Sequence, residues 1–138
     1  GHARFLPYLL NRVTSRLNVD FQAELHRHGL TLTHWRVLAF LSEQDGLPVT
    51  ELATVTATDP STLSRALDRL ERDGHIERRG GDVDQRVTRV HLAAPGRALF
   101  ERILPTALAL HRQAVAGLTA EDLRTLSRIL SRILVNLD

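Results

Sequence analysis

The chain has 138 residues, carries 18 basic side chains against 16 acids for a formal net charge of +2, and contains neither cysteine nor methionine; every one of its non-histidine basic residues is arginine. That length fits a single domain able to bury about two-thirds of its unfolded surface without disulfides or metals. The absence of cysteine excludes thiol nucleophiles, thiol redox sensing, cysteine-ligated zinc and disulfide frameworks. An isoelectric point of about 10.3 says little, because almost nothing in this composition titrates between the histidines and the guanidiniums. Apolar runs are short and broken by arginine, so a soluble, cytoplasmic protein without membrane association is expected. Gly1-His2 reads as a trimmed end without function.

From Phe5 to Leu25 the residues Leu6, Leu9, Leu10, Val13, Leu17, Phe21 and Leu25 recur at steps of three and four, one stripe of a helix that Gly29 ends. Thr33 is a natural N-cap for a second helix carrying Trp35, Leu38 and Leu41, which stops at the turn pair Asp45-Gly46. Pro48-Val49 reads as a short extended piece. Thr50 then caps a third helix of about two turns anchored by Leu52, Ala53 and Val55. In the fourth, Asp59 is the cap, Pro60 suits the first helical position, and Leu63, Ala66, Leu67 and Leu70 follow at i, i+3, i+4 and i+7. Gly74 closes it.

The period then changes to two. Ile76 to Arg79 and Arg86 to Leu92 read as the strands of a hairpin, with Gly80-Gly81-Asp82 opening the connection. Pro95-Gly96 starts a long helix through Leu99, Ile103 and Leu108, with Pro105 inside it as a point of kinking or restart. Gly117 stops it. Thr119 and Asp122 have capping-box spacing for a last helix, where Leu123, Leu126, Leu130, Ile133 and Leu137 step as a coiled-coil seam widened by Ile129 and Leu134. No internal repeat or long linker divides the chain.

The expected fold is mainly α with a small β-hairpin wing, a winged helix-turn-helix flanked by a long helix at each end. The tight turn at Ala57-Thr58-Asp59 puts the fourth helix where it can lie in a major groove. Its outer face offers Ser61, Thr62, Ser64, Arg65, Asp68 and Arg69, and Arg65 could equally pair with Asp68 on the helix surface. The hairpin adds Arg78, Arg79, Arg86 and Arg89, a shape that pushes a guanidinium into a minor groove or across phosphates, with Asp82 and Asp84 cancelling part of the charge. Residues 60 to 92 hold seven arginines against six acids, so placement matters more than net charge.

From Leu30 to Gly96 the chain resembles the MarR family of bacterial transcriptional regulators, in LTLTHWRVLAFL, VTELA, DPSTLSRALDRLERDGHIERR and DVDQRVTRVHLAAPG. The family's wing pattern, Asp-x-Arg followed by a Val-x-Leu strand, is met by Asp84, Arg86, Val90 and Leu92; Ala93-Ala94 departs from the usual Thr-x at the following helix cap. The flanking helices match the family's dimerisation helices in place and length. The resemblance implies one domain over residues 1–138, with 30–95 as the winged helix-turn-helix and 3–29 and 96–138 as dimerisation helices. It implies a homodimeric repressor reading the halves of a pseudo-palindromic operator in double-stranded DNA. By carry-over, Ser61, Thr62, Ser64, Arg65 and Arg69 meet bases and phosphates, and Asp84 positions the wing arginine Arg86. Thr50 offers a hydroxyl and backbone N–H groups to a phosphate. The residues also support the dimer, since Leu6, Leu9, Leu10 and Val13 on the first helix and Leu123, Leu126, Leu130, Ile133 and Leu137 on the last form more apolar surface than one winged helix covers, the alternative being terminal helices that pack only on each other within one chain.

Members of the family answer to small aromatic acids or phenols, and the candidates for such an effector are Arg12, Arg16, His34, Trp35 and His111: an arginine pairs with a carboxylate and Trp35 stacks on a ring, although Trp35 also fits the apolar core pattern. Seven histidines raise a zinc-responsive alternative around Glu24, His26 and His28, but i, i+2 spacing on a helix spreads side chains to different faces. No cofactor is implied. Gly-x-Ser-x-Gly, a phosphate-binding glycine loop and His-Glu-x-x-His are all absent, so an enzyme is not expected. The remaining rival is a helical dimeric adaptor without DNA binding.

Overall fold

In the computed structural model, which describes residues 5–80 and 86–138, the first apolar stripe becomes helix α1 (Leu6–Arg27). Only its lower end, Phe21 and Leu25, is buried; Leu6, Leu9, Leu10, Val13 and Leu17 remain 38–53% exposed. Gly29, at φ +69, makes the left-handed turn out of the helix. Helix α2 (Leu32–Glu43) begins at Thr31 and not at Thr33. The deciding residue is His34, which closes a capping box: its N–H donates to Thr31 Oγ1 at 3.3 Å, and its Nδ1 accepts from the Thr31 N–H at 3.0 Å.

Strand β1 (Leu47–Pro48) leads directly into α3 (Val49–Val55). Pro48 is the N-cap residue and supplies no side-chain cap, so Thr50 lies inside the helix instead of capping it. Ala57 takes a left-handed φ of 51° in the turn that follows, where Thr58 N–H reaches back to Ala53 O at 3.0 Å. Helix α4 (Pro60–Arg72) starts at Asp59 as its sequence requires, and buries Leu63, Ala66, Leu67 and Leu70.

Strands β2 (Ile76–Gly80) and β3 (Thr88–Leu92) pair antiparallel, and β1 adds to the other edge of β3 in the order β1-β3-β2. Leu47 sits opposite Val90, which is opposite Arg78 on the other side. Helix α5 (Ala94–Ala114) runs on through Pro105 as one element. Gly96 near its start is buried, and a Cβ there would lie 2.1 Å from the His75 carbonyl oxygen. Helix α6 (Ala120–Leu137) opens on the Thr119/Asp122 capping box and buries no residue.

The core joins Val37, Leu38 and Leu41 of α2, Leu52 of α3, Leu63, Leu67 and Leu70 of α4, the sheet residues Ile76 and Val90, and Ile103 of α5, each no more than 1% exposed. Burying a leucine stabilises by about 1.5–3 kcal/mol, so α4 is seated mainly by its three leucines. Trp35 completes the core on the α1–α5 side, edge-on to Phe21 at 5.2 Å and stacked on Phe100 at 5.0 Å. No helix among the described residues is long and apolar enough to cross a membrane.

Candidate nucleic-acid interface

Because α4 turns its leucines inward, Ser61, Ser64, Arg65, Asp68 and Arg69 stand exposed and Thr62 is half-buried. The first turn is organised by Asp59. Its Oδ1 accepts from the Thr62 N–H at 2.9 Å and from the Ser61 hydroxyl at 2.7 Å, and its Oδ2 accepts from the Thr62 hydroxyl at 2.7 Å. These donors hold the Asp59 carboxyl well below the usual carboxylate range, the Thr62 hydroxyl contributing most. Arg65 Nη2 donates to Thr62 Oγ1 at 3.3 Å. Arg69 bends the other way, with Nε 3.5 Å from Asp73 Oδ2, towards the turn at Gly29.

The pairing of Arg65 with Asp68 is not formed. Asp68 instead meets Arg78 of β2, whose Nη2 donates to Asp68 Oδ1 at 2.7 Å and to Glu71 Oε1 at 3.0 Å. Arg78 also gives Nε to Glu71 Oε1 at 3.2 Å and its own backbone N–H to Glu71 Oε2 at 2.8 Å. This half-buried guanidinium therefore ties the wing strand to α4 and does not point outward with the hairpin cations. Glu71, held below the usual carboxylate range chiefly by that backbone N–H, was not marked by any spacing in the sequence. Arg79 pairs with Glu77 at 2.5 Å, and Arg89 donates to the Gly46 carbonyl at 3.0 Å, so these two arginines, cross-strand neighbours in the sheet, each have a local acceptor.

Arg86 is exposed and lines a cleft of about 320 Å³ with Thr50, Ser64, Leu67, Arg78 and Thr88, between the start of α3, the outer face of α4 and the base of the wing. Thr50, Ser64 and Arg86 are thus brought together, with Arg65 and Ser61 on the same helix. Asp82 and Asp84 lie outside the described residues.

The five effector candidates do not share one cavity. Arg12 and Arg16 line a cleft of about 470 Å³ between α1 and α5, with Val13, Leu17, Asp20 and Leu110 among its walls. Trp35 is committed to its aromatic stack in the core. His34 is buried at the start of α2 and faces Arg65, Arg69 and Arg72 across a separate cleft, while His111 is exposed on α5 and lines neither. Of the zinc alternative, Glu24 and His28 meet at 3.5 Å and His26 points into solvent; no three His, Asp or Glu side chains converge among the described residues. Of the apolar seams, Leu126 and Leu137 are exposed by 49% and 77%, and Leu123, Leu130 and Ile133 are half-buried.

The model of the MarR family matches residues 28–87, from the end of α1 to the start of the region before β3. A helix-turn-helix transcriptional repressor of Mycobacterium tuberculosis is 34% identical over 93% of this chain and 92% of its own length. The homoprotocatechuate degradative operon repressor of Escherichia coli is 31% identical over 83% of this chain and 77% of its own. Among solved structures, a MarR family transcriptional regulator from Silicibacter pomeroyi aligns with a TM-score of 0.92 at 37% identity, over 100% of this chain and 93% of that one. A mutant MarR of Escherichia coli complexed with operator DNA aligns with a TM-score of 0.78 at 28% identity, over 94% and 93%. Helix order, three-stranded sheet and sequence agree over nearly the full length, and the chain belongs to the MarR family of transcriptional regulators.

Proposed function

We propose that the chain is a homodimeric repressor that reads a pseudo-palindromic operator through residues 30–95 and dimerises through 3–29 and 96–138. The observation that carries the reading is the two-faced α4, leucines sealed inward and Ser61, Ser64 and Arg65 outward on the side where Thr50 and Arg86 line one cleft. A helix so placed suits a major groove, and a wing arginine beside it suits the flanking phosphates or minor groove. Leu6, Leu9, Leu10 and Val13 on α1, with Leu123, Leu126, Leu130, Ile133 and Leu137 on α6, form the apolar surface a second copy covers. The operator complex of the Escherichia coli relative supports the DNA reading by likeness.

An effector fits the same scheme. The cleft of Arg12 and Arg16 offers two guanidiniums against apolar walls, the chemistry of a small aromatic or phenolic acid, and a relative is named for a homoprotocatechuate degradative operon. The test is a fluorescence-anisotropy titration against the DNA upstream of the protein's own gene at two salt concentrations. Tight, salt-dependent binding lost in a folded Arg65→Ala variant is the expected result; a dimer with no salt-dependent affinity supports the adaptor instead.

A further inference from the structure

Building on the DNA-binding reading, we propose that Asp59 fixes the hydroxyls of Ser61 and Thr62 as hydrogen-bond acceptors, so that the tip of α4 selects an exocyclic amino group, adenine N6 or cytosine N4, in the major groove.

A hydroxyl has one proton and two lone pairs, and an ionised carboxylate only accepts. With the Ser61 proton directed to Asp59 Oδ1 and the Thr62 proton to Asp59 Oδ2, each at 2.7 Å, neither hydroxyl has a proton left to offer outward. Ser61 is exposed and keeps both lone pairs. Thr62 keeps one, the other accepting from Arg65 Nη2 at 3.3 Å.

The major groove then decides what can be met. Guanine N7 and O6, thymine O4 and every phosphate oxygen are acceptors and find no donor in these hydroxyls; the amino groups of adenine and cytosine are donors and do. The Asp59 carboxylate adds negative charge at the same tip, which repels phosphates and favours amino groups. Side-chain donors follow with the exposed Ser64 hydroxyl and, one turn on, with Arg65, whose remaining N–H groups suit guanine O6 and N7. Ser61 and Arg65 are about 6 Å apart along the helix. The half-site should therefore hold an adenine or cytosine within about two base steps of a guanine. Salt dependence belongs to the arginines and not to Ser61 or Thr62.

The experiment selects binding sites from a random double-stranded library and titrates the winners at two salt concentrations, for the full chain and for Ser61→Ala, Thr62→Val and Asp59→Asn, each checked for folding by circular dichroism. The unsubstituted chain should prefer adenine or cytosine by about fivefold at one half-site position, the worth of a single good hydrogen bond. Ser61→Ala and Thr62→Val should each bring that preference towards unity with the salt slope unchanged. Asp59→Asn is the decisive variant: asparagine caps the helix as well as aspartate does, but its amide replaces Oδ2 with a donor, so the Thr62 hydroxyl turns its proton outward. Preference at the position that Thr62→Val levels should then move towards guanine or thymine with both hydroxyls intact, while Ser61, whose proton still goes to Oδ1, keeps its own. Affinity lowered equally for every sequence by each hydroxyl lost, with base preference kept, would make them phosphate donors and overturn the proposal. So would an Asp59→Asn variant whose preference at the position levelled by Thr62→Val is unchanged. Failure of the unsubstituted chain to enrich any sequence removes the DNA-binding reading itself.

Discussion

Replacing Arg78 by methionine keeps its apolar stem and removes a guanidinium that makes three hydrogen bonds to Asp68 and Glu71. In a dry interior each charge-assisted bond would contribute about 1.5–3 kcal/mol. Here the side chains of Arg78, Glu71 and Asp68 are 28%, 38% and 59% exposed, which moves each pair towards the ~0–1 kcal/mol of surface ion pairs. The sum is about 1–2 kcal/mol, including the repulsion left between the two bared carboxylates, or a drop of about 4–8 °C in Tm for a domain of this size. The pH dependence has a definite sign. Glu71 titrates below its ordinary 4.5 because the Arg78 backbone N–H and then its guanidinium bond the carboxylate. Its contribution is therefore complete above that value and lost as pH falls through the depressed one, so the gap between variant and parent should be full at pH 7 and close in acid. Thermal melts at both pH values measure this, and operator titrations at two salts complete it. Affinity should fall several-fold with the salt slope intact, since the wing is displaced and no phosphate contact is deleted. An unchanged Tm together with a slope reduced by about one would refute the brace and make Arg78 a phosphate ligand.

Arg86→Ala should instead weaken binding to many sequences alike and lower the salt slope by about one unit; a slope that stays put argues against a phosphate role. His34 is kept neutral, mainly by burial and then by the nearby Arg69 guanidinium, with Asp73 opposing and His75 adding to it. Its folded pKa lies below 6.5, so stability is complete above that value and declines as pH falls towards the depressed one. His34→Gln preserves the reach-back of the capping box and removes the titration, so its Tm should fall less between pH 7.5 and 5.5 than that of the parent; parallel curves would clear His34 of any part in acid sensitivity. Gly96→Ala drives a methyl to 2.1 Å from the His75 carbonyl, a backbone atom that cannot swing aside. A loss of about 1–3 kcal/mol in denaturant melts is expected, and an equal or higher midpoint would contradict it.

The helices were legible because their apolar residues repeat at the helical period, and α4 most clearly because cap, Pro60 and leucine stripe coincide. Caps were less so. Two threonines, Thr31 and Thr33, flank Leu32, and the choice fell to His34, whose ring replaces the usual Glu or Gln of a capping box. The start of α3 is set by tertiary pairing of Leu47-Pro48 with β3, which no local preference announces. The outward residues of α4 could be read from periodicity alone, but the partners of its acids could not, since Arg78 lies seven and ten residues from Glu71 and Asp68 on another element. Trp35 carried two readings, and the choice depended on Phe21 and Phe100, far apart in sequence and brought together only by folding.

Helix α6 is well capped at Thr119, yet none of its residues is fully buried within its own chain, and Leu123, Leu130 and Ile133 are only half-covered. An isolated helix of 18 residues is marginal in water. In the proposed dimer its amide protection against hydrogen exchange is lent by the second copy and rises with protein concentration, while that of α2 and α4 is intrinsic. The strut that sets the separation of the two reading heads is then completed by mass action, and at concentrations below the dimer's Kd operator occupancy grows with the square of the monomer concentration. A modest change in expression becomes a sharper change in repression, without any allosteric transition in the winged domain.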